Sequence, residues 1–265
     1  MASERRERRH GRQLPFRICV LALAVSAVIL AAPGATQQAA AAAAVPKLVD
    51  TPTVVASSYS LPGEPGWDAA IAFHVRNPTG SWMLDVPFRV TLATDTGPAE
   101  VTDNSTTERI SIAPRSTRLV VVNHTVHGTQ PTKATVKLYA PTGNSARRFT
   151  QPIDPKLLTV GAAQTSCAAQ TIECRFSGEL TSKAKQSANS PHVSVALHTG
   201  SATGPIVAAG GDTAGIASLQ RNTPKPFDVL ITGFNHGGPV AAGASPDNLT
   251  SLVPETIVDA VTNNY

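Results

Sequence analysis

Short runs of alternating apolar and polar residues, each closed by turn formers, constrain this chain more than any other feature. In residues 69–76, Ile71, Phe73 and Val75 fall on one face. Phe88, Val90 and Leu92 do so in residues 88–92, and Val136 and Leu138 in residues 135–139. Residues 54–58, 109–112 and 119–122 are runs of the same kind. A period of two describes a half-buried strand, and Asn77-Pro78-Thr79-Gly80 and Pro141-Thr142-Gly143-Asn144 are strand breakers. Many short strands with almost no helical period predict an all-β antiparallel sandwich. Residues 251–261 are the one stretch whose spacing suggests a helix.

The rhythm returns in the second half. Leu197 follows Leu92 by 105 residues, and Gly204 and Leu219 follow Gly97 and Ile112 by 107. Residues 192–197 answer 88–92, and 227–231 answer 119–122. Such a slowly drifting offset suits diverged tandem units. The expected organisation is a signal or anchor segment (1–35), an Ala-rich linker (36–46) and two tandem Ig-like antiparallel β-sandwich domains, 47–155 and 156–265. The link falls near residues 152–160, which lack alternation.

The run VSVALHTGSATGPIVAAGGDTAGIASLQRNTPKPFDVLI (193–231) resembles the FxLYD domains of exported bacterial proteins. LHTG (197–200) stands where that family has Leu-aromatic-Asp, and GPIV (204–207) and KPFDVLI (225–231) follow its later strands. The stretch from His74 to Val122 fits the same scheme more loosely. The resemblance implies an Ig-like sandwich on an exported bacterial protein and supplies no active site.

Net charge is +4, yet residues 1–17 alone hold six arginines and two glutamates, also +4. Residues 18–265 therefore carry 16 basic and 16 acidic side chains, net zero. A nucleic-acid binder needs a basic patch on its folded domain, and this balance argues against one. The basic start, the uncharged apolar run 18–32 and the small residues after it read as an export segment. At 15 residues the run is shorter than the roughly 20 that span a bilayer comfortably. Cleavage after Gly34, cleavage within 39–44 and an uncleaved membrane anchor all remain open. Cys19 opens the apolar run, whereas a lipoprotein's acylated cysteine closes it. Cys167 and Cys174, with six residues between them, read as a disulfide in an oxidising compartment. A zinc site would want closer spacing and a second pair.

Chemistry-bearing patterns are sparse. His124 and His127 have no acidic or thiol neighbour to complete a metal site, and read as polar loop residues. His192 and His198 share a strand face that reads as solvated, and His236 sits in a Gly-rich turn. Neither a Gly-x-Ser-x-Gly elbow nor a phosphate-binding glycine loop occurs. Asn104, Asn123 and Asn248 head glycosylation-type triplets that a bacterial leader makes chance matches. Trp67 and Trp82, beside Pro/Gly turns, are candidate ligand platforms or plugs for the ends of a small sandwich. The expectation is an exported, non-catalytic binding or structural accessory of the bacterial cell envelope, without cofactor or metal. Its partner would be another envelope protein or a cell-wall glycan. The alternatives are an extracytoplasmic carbohydrate-binding module using Trp67 and Trp82, and a secreted hydrolase whose Ser/His/Asp pocket forms only in three dimensions.

Overall fold

The computed structural model describes residues 44–61, 64–102, 107–141, 150–167, 174–233 and 251–263. The leader with Cys19, most of the linker, Asn104, Asn248, His236 and the turn residues 142–144 lie outside the described residues. The first strands are β1 (Lys47–Leu48), β2 (Thr53–Leu61), β3 (Glu64–Arg76), β4 (Met83–Ala93), β5 (Glu100–Val101), β6 (Glu108–Ile112), β7 (Thr117–His127) and β8 (Lys133–Leu138). After β9 (Thr150–Pro152) and a 3-10 turn at Pro155–Leu157 come β10 (Leu158–Cys167), β11 (Cys174–Ser182) and β12 (Ala188–Thr199). The chain continues through β13 (Ile206–Thr213), β14 (Ser218–Leu219), β15 (Lys225–Ile231) and β16 (Leu252–Asn263). The fold is all-β. Residues 251–261, expected to be helical, are instead strand β16.

Among the described residues the strands form four antiparallel sheets. Sheet I runs β1-β3-β7-β5 with β2 also on β3, and sheet II runs β6-β4-β8. Sheet III runs β13-β12-β16-β9 with β14 on β12, and sheet IV runs β10-β11-β15. Sheets I and II enclose one core, with Ile71, Phe73, Val75 and Val120 facing Val86, Phe88, Leu92 and Ile112. Phe73 and Phe88 meet edge to face, ring centres 5.7 Å apart. Sheets III and IV enclose a second core, with Val193, Val195, Leu197 and Val258 facing Phe176, Leu180, Phe227 and Val229. The alternating residues seen in the sequence are the ones that point into these cores.

The pairing order repeats as well. Sheet I holds β2-β3-β7 and sheet IV holds β10-β11-β15; sheet II holds β6-β4-β8 and sheet III holds β14-β12-β16. Met83 pairs with Ile112 and Ala188 with Leu219. These two pairings are offset by 105 and 107 residues, as in the sequence rhythm.

A third apolar cluster lies between the two halves. The outer face of sheet I (Val55, Ala70, Ala72, Leu119, Val121) packs on the outer face of sheet III (Ala196, Ala209, with Ile206 and Ile257). The alanines let the two backbones approach closely. Sheets I and III are thus covered on both faces, and residues 44–263 belong to one compact unit.

Cys167 and Cys174 are directly opposed across β10 and β11 and form a disulfide, with Cα atoms 4.0 Å apart. The bridge closes this hairpin against the second core, where Cys174 is buried.

Candidate functional site

The seam between sheets I and III carries the chain's concentrated polar chemistry. β3 alternates Ile71, Phe73 and Val75 into the first core, which turns Ala70, Ala72 and His74 toward the seam. β16 likewise sends Val258 and Ala260 into the second core and Glu255, Ile257 and Asp259 the other way. His74 Nε2 donates to Glu255 at 2.9 Å, and its Nδ1 to Asp50 at 2.5 Å. His198 Nε2 lies 3.2 Å from the second oxygen of Glu255, while its Nδ1 donates to the Gly204 carbonyl at 2.7 Å. The Glu255 bond, supported by Asp50 and opposed by burial, pushes the His74 imidazole from its ordinary 6.5 up to about 9. The same bond holds Glu255 below the usual carboxylate range.

A second ion pair crosses the seam between Arg118 on β7 and Asp259 on β16. Arg118 Nη1 also donates to the Ser111 carbonyl. Burial dominates both partners, pressing the guanidinium down and the carboxyl up, while each charge sustains the other. His192, directly across from Asp259 in the β12–β16 register, is held below 6.5 by burial and stays neutral at pH 7. The Gly233 amide donates to Ser57 Oγ, and Asn123 Nδ2 donates to the Gly211 carbonyl, adding further bonds between the halves.

Beside the Arg118–Asp259 pair lies a cavity of about 540 Å³. Its volume falls within the roughly 300–1,000 Å³ usual for small-molecule sites. Trp82, Arg118, His192, Ser194, Asp259 and Gly211 are among the residues on its wall. Gly211 is closely approached: a Cβ there would meet the Val121 carbonyl oxygen at 3.1 Å and His192 Nε2 at 3.3 Å, so either neighbour would have to give by a few tenths of an ångström. Arg118 Nε, fully enclosed, has no hydrogen-bond partner. The side chains of His192 and Ser194 also make no hydrogen bond among the described residues.

The sequence candidates fare unevenly. Trp82 borders the cavity. Trp67 does not: its Nε1 donates to the Gly128 carbonyl at 3.0 Å, and its ring packs on the first core. Trp67 is not on the cavity wall, so this cavity does not bring the two tryptophans together. The β12 face bearing His192, Ser194, Ala196 and His198 was expected to be solvated; Ser194, Ala196 and His198 are buried instead, His198 only 3% exposed, and His192 is half-buried. Sheet I covers it. His124 and His127, expected in a loop, lie on β7, with His124 buried and 3.8 Å from Glu108. Among the described residues no group of three or more His, Cys, Asp or Glu is placed to hold a metal ion.

Ser194, His192 and Asp259 are the residue types of a hydrolytic triad, and the fold brings them together. Their bonding is different. Asp259 is engaged by Arg118, and His192 makes no hydrogen bond to either residue. A nucleophile, a base and an orienting group need those bonds to act in sequence. Sequence reasoning missed Arg118, Asp259, His74 and Glu255. Their signal is a charged side chain inside a strand apolar on both faces, such as Arg118 directly before Leu119-Val120-Val121-Val122.

No protein-family model matches the chain, and no curated protein matches it at a significant level.

Proposed function

We propose that this is an exported, non-catalytic binding or structural protein of the bacterial cell envelope, built from two tandem Ig-like sandwiches and recognising another envelope protein. The observation that carries the reading is the seam. Ala70, Ala72, Ala196 and Ala209, with the His74–Glu255 and Arg118–Asp259 pairs, hold the halves in one fixed arrangement. A rigid pair of sandwiches presents its edges and end loops at set distances, as an adaptor needs. Export is supported by the leader pattern of residues 1–35 and by the Cys167–Cys174 bridge, which persists in an oxidising compartment.

The test is fractionation and in-cell cross-linking of the full-length tagged chain. The expected result is an extracytoplasmic protein with Cys167 and Cys174 oxidised, cross-linked reproducibly to one envelope protein. A cytosolic chain with both thiols free overturns the reading. A second reading, carbohydrate binding, is favoured by one observation, the position of Trp82 on the wall of a polar cavity.

A further inference from the structure

We propose that the cavity at the seam binds one or two rings of a neutral saccharide, with Trp82 against a ring face and His192 and Ser194 bonding its hydroxyls. This rests on the binding reading above and names the ligand class of one site.

Two polar side chains without a hydrogen bond, Ser194 and His192, converge on the cavity beside the enclosed Arg118 guanidinium. Ser194, 2% exposed, offers a hydroxyl that neither donates nor accepts among the described residues. His192, kept neutral by burial, has one donor and one acceptor nitrogen free. Polar side chains with no protein partner on a cavity wall are available to bond whatever fills it. The set mixes donors and acceptors, which suits hydroxyls, since each both gives and takes a hydrogen bond.

Charge excludes the main rival. Four charged side chains line the cavity, two cations (Arg109, Arg118) and two anions (Glu108, Asp259), so the wall is net neutral. A phosphate or a uronate would meet no net attraction and would face Asp259 beside Arg118. An aromatic face next to a few placed polar groups is the usual composition of a site for a partly apolar ring.

The test is a ¹H–¹⁵N NMR titration of the full-length chain with cellobiose, maltose and N,N′-diacetylchitobiose, and with glucuronate and inorganic phosphate as anionic probes. The expected result is that at least one neutral disaccharide shifts the Trp82 indole and the 192–194 amides. Ser194→Ala should weaken that binding about 3- to 10-fold, one hydrogen bond's worth. Trp82→Ala should weaken it about tenfold, and Trp67→Ala should leave it unchanged. No shift of these signals with any of the three disaccharides overturns the proposal, as do shifts with the anions alone or binding insensitive to both variants. The envelope cross-link is scored separately, so a failed titration beside a standing cross-link removes only the ligand class. Release of free monosaccharide that Ser194→Ala abolishes would instead overturn the non-catalytic reading.

Discussion

Glu255→Gln tests how the two halves are held together. The change keeps the side chain's size and removes the charge shared by His74 and His198. Raising the His74 imidazole from 6.5 to about 9 stabilises the fold by at most about 3 kcal/mol, at roughly 1.36 kcal/mol per tenfold in proton affinity. Solvent reaches both carboxylates, with Asp50 39% and Glu255 32% exposed, and screening lowers the expected figure to about 1–2 kcal/mol. The folded-state value is the raised one, so this stability is fully present below pH 6.5 and is lost as pH rises through about 9. The variant should therefore be less stable than the parent by about 1–2 kcal/mol at pH 6.5, and the gap should narrow sharply by pH 10. Urea unfolding followed by tryptophan fluorescence at both pH values measures the gap, and imidazole NMR locates the His74 titration directly. An equal loss at pH 6.5 and pH 10, or a parent His74 that titrates near 6.5, would refute the argument.

Three further outcomes are expected. Asp259→Ala should cost about 3–5 kcal/mol by leaving the Arg118 guanidinium buried and unpaired, whereas Arg118→Met with Asp259→Leu should recover most of that loss in thermal unfolding. Replacing Cys167 and Cys174 with serine should cost about 2–3 kcal/mol in urea unfolding, the chain-entropy value for so short a loop, without changing the β signature by circular dichroism. Ala70→Leu should overfill the seam and cost about 1–3 kcal/mol, while Thr135→Leu on the exposed β8 position should cost far less in the same assay.

The strands facing a core on one side only were legible in the sequence, because alternation records one buried face. Val90 and Val136 sit opposite each other as their spacing suggests. The seam was not legible. β16 places Val258 and Ala260 in one core and Ile257 in the seam, so its alternation is erased and the residual spacing passes for a helix. The β12 face was misjudged for a related reason: alternation separates His192, Ser194, Ala196 and His198 from the core-facing valines, but says nothing about a second sheet lying over them. The cavity depends on that covering sheet as well. Trp82 is a residue the sequence could single out, while its neighbours Arg118 and Asp259 are 141 positions apart and meet only through the packing of the halves.

The repeated pairing order gives the seam a direction. Sheets I and IV are counterparts, as are II and III, yet the contact joins I to III. Unlike faces meet, so the joint is heterologous, and a heterologous joint whose operator does not close would add units indefinitely in a row. The outward residues of sheet IV include the Arg175–Asp228 pair, and those of sheet II include Arg89, Lys133 and Lys137. These charged faces serve as end caps, as polar terminal repeats do in solenoids. Among the described residues the two outer sheets thus differ chemically, and a partner fitted to one meets a different surface on the other.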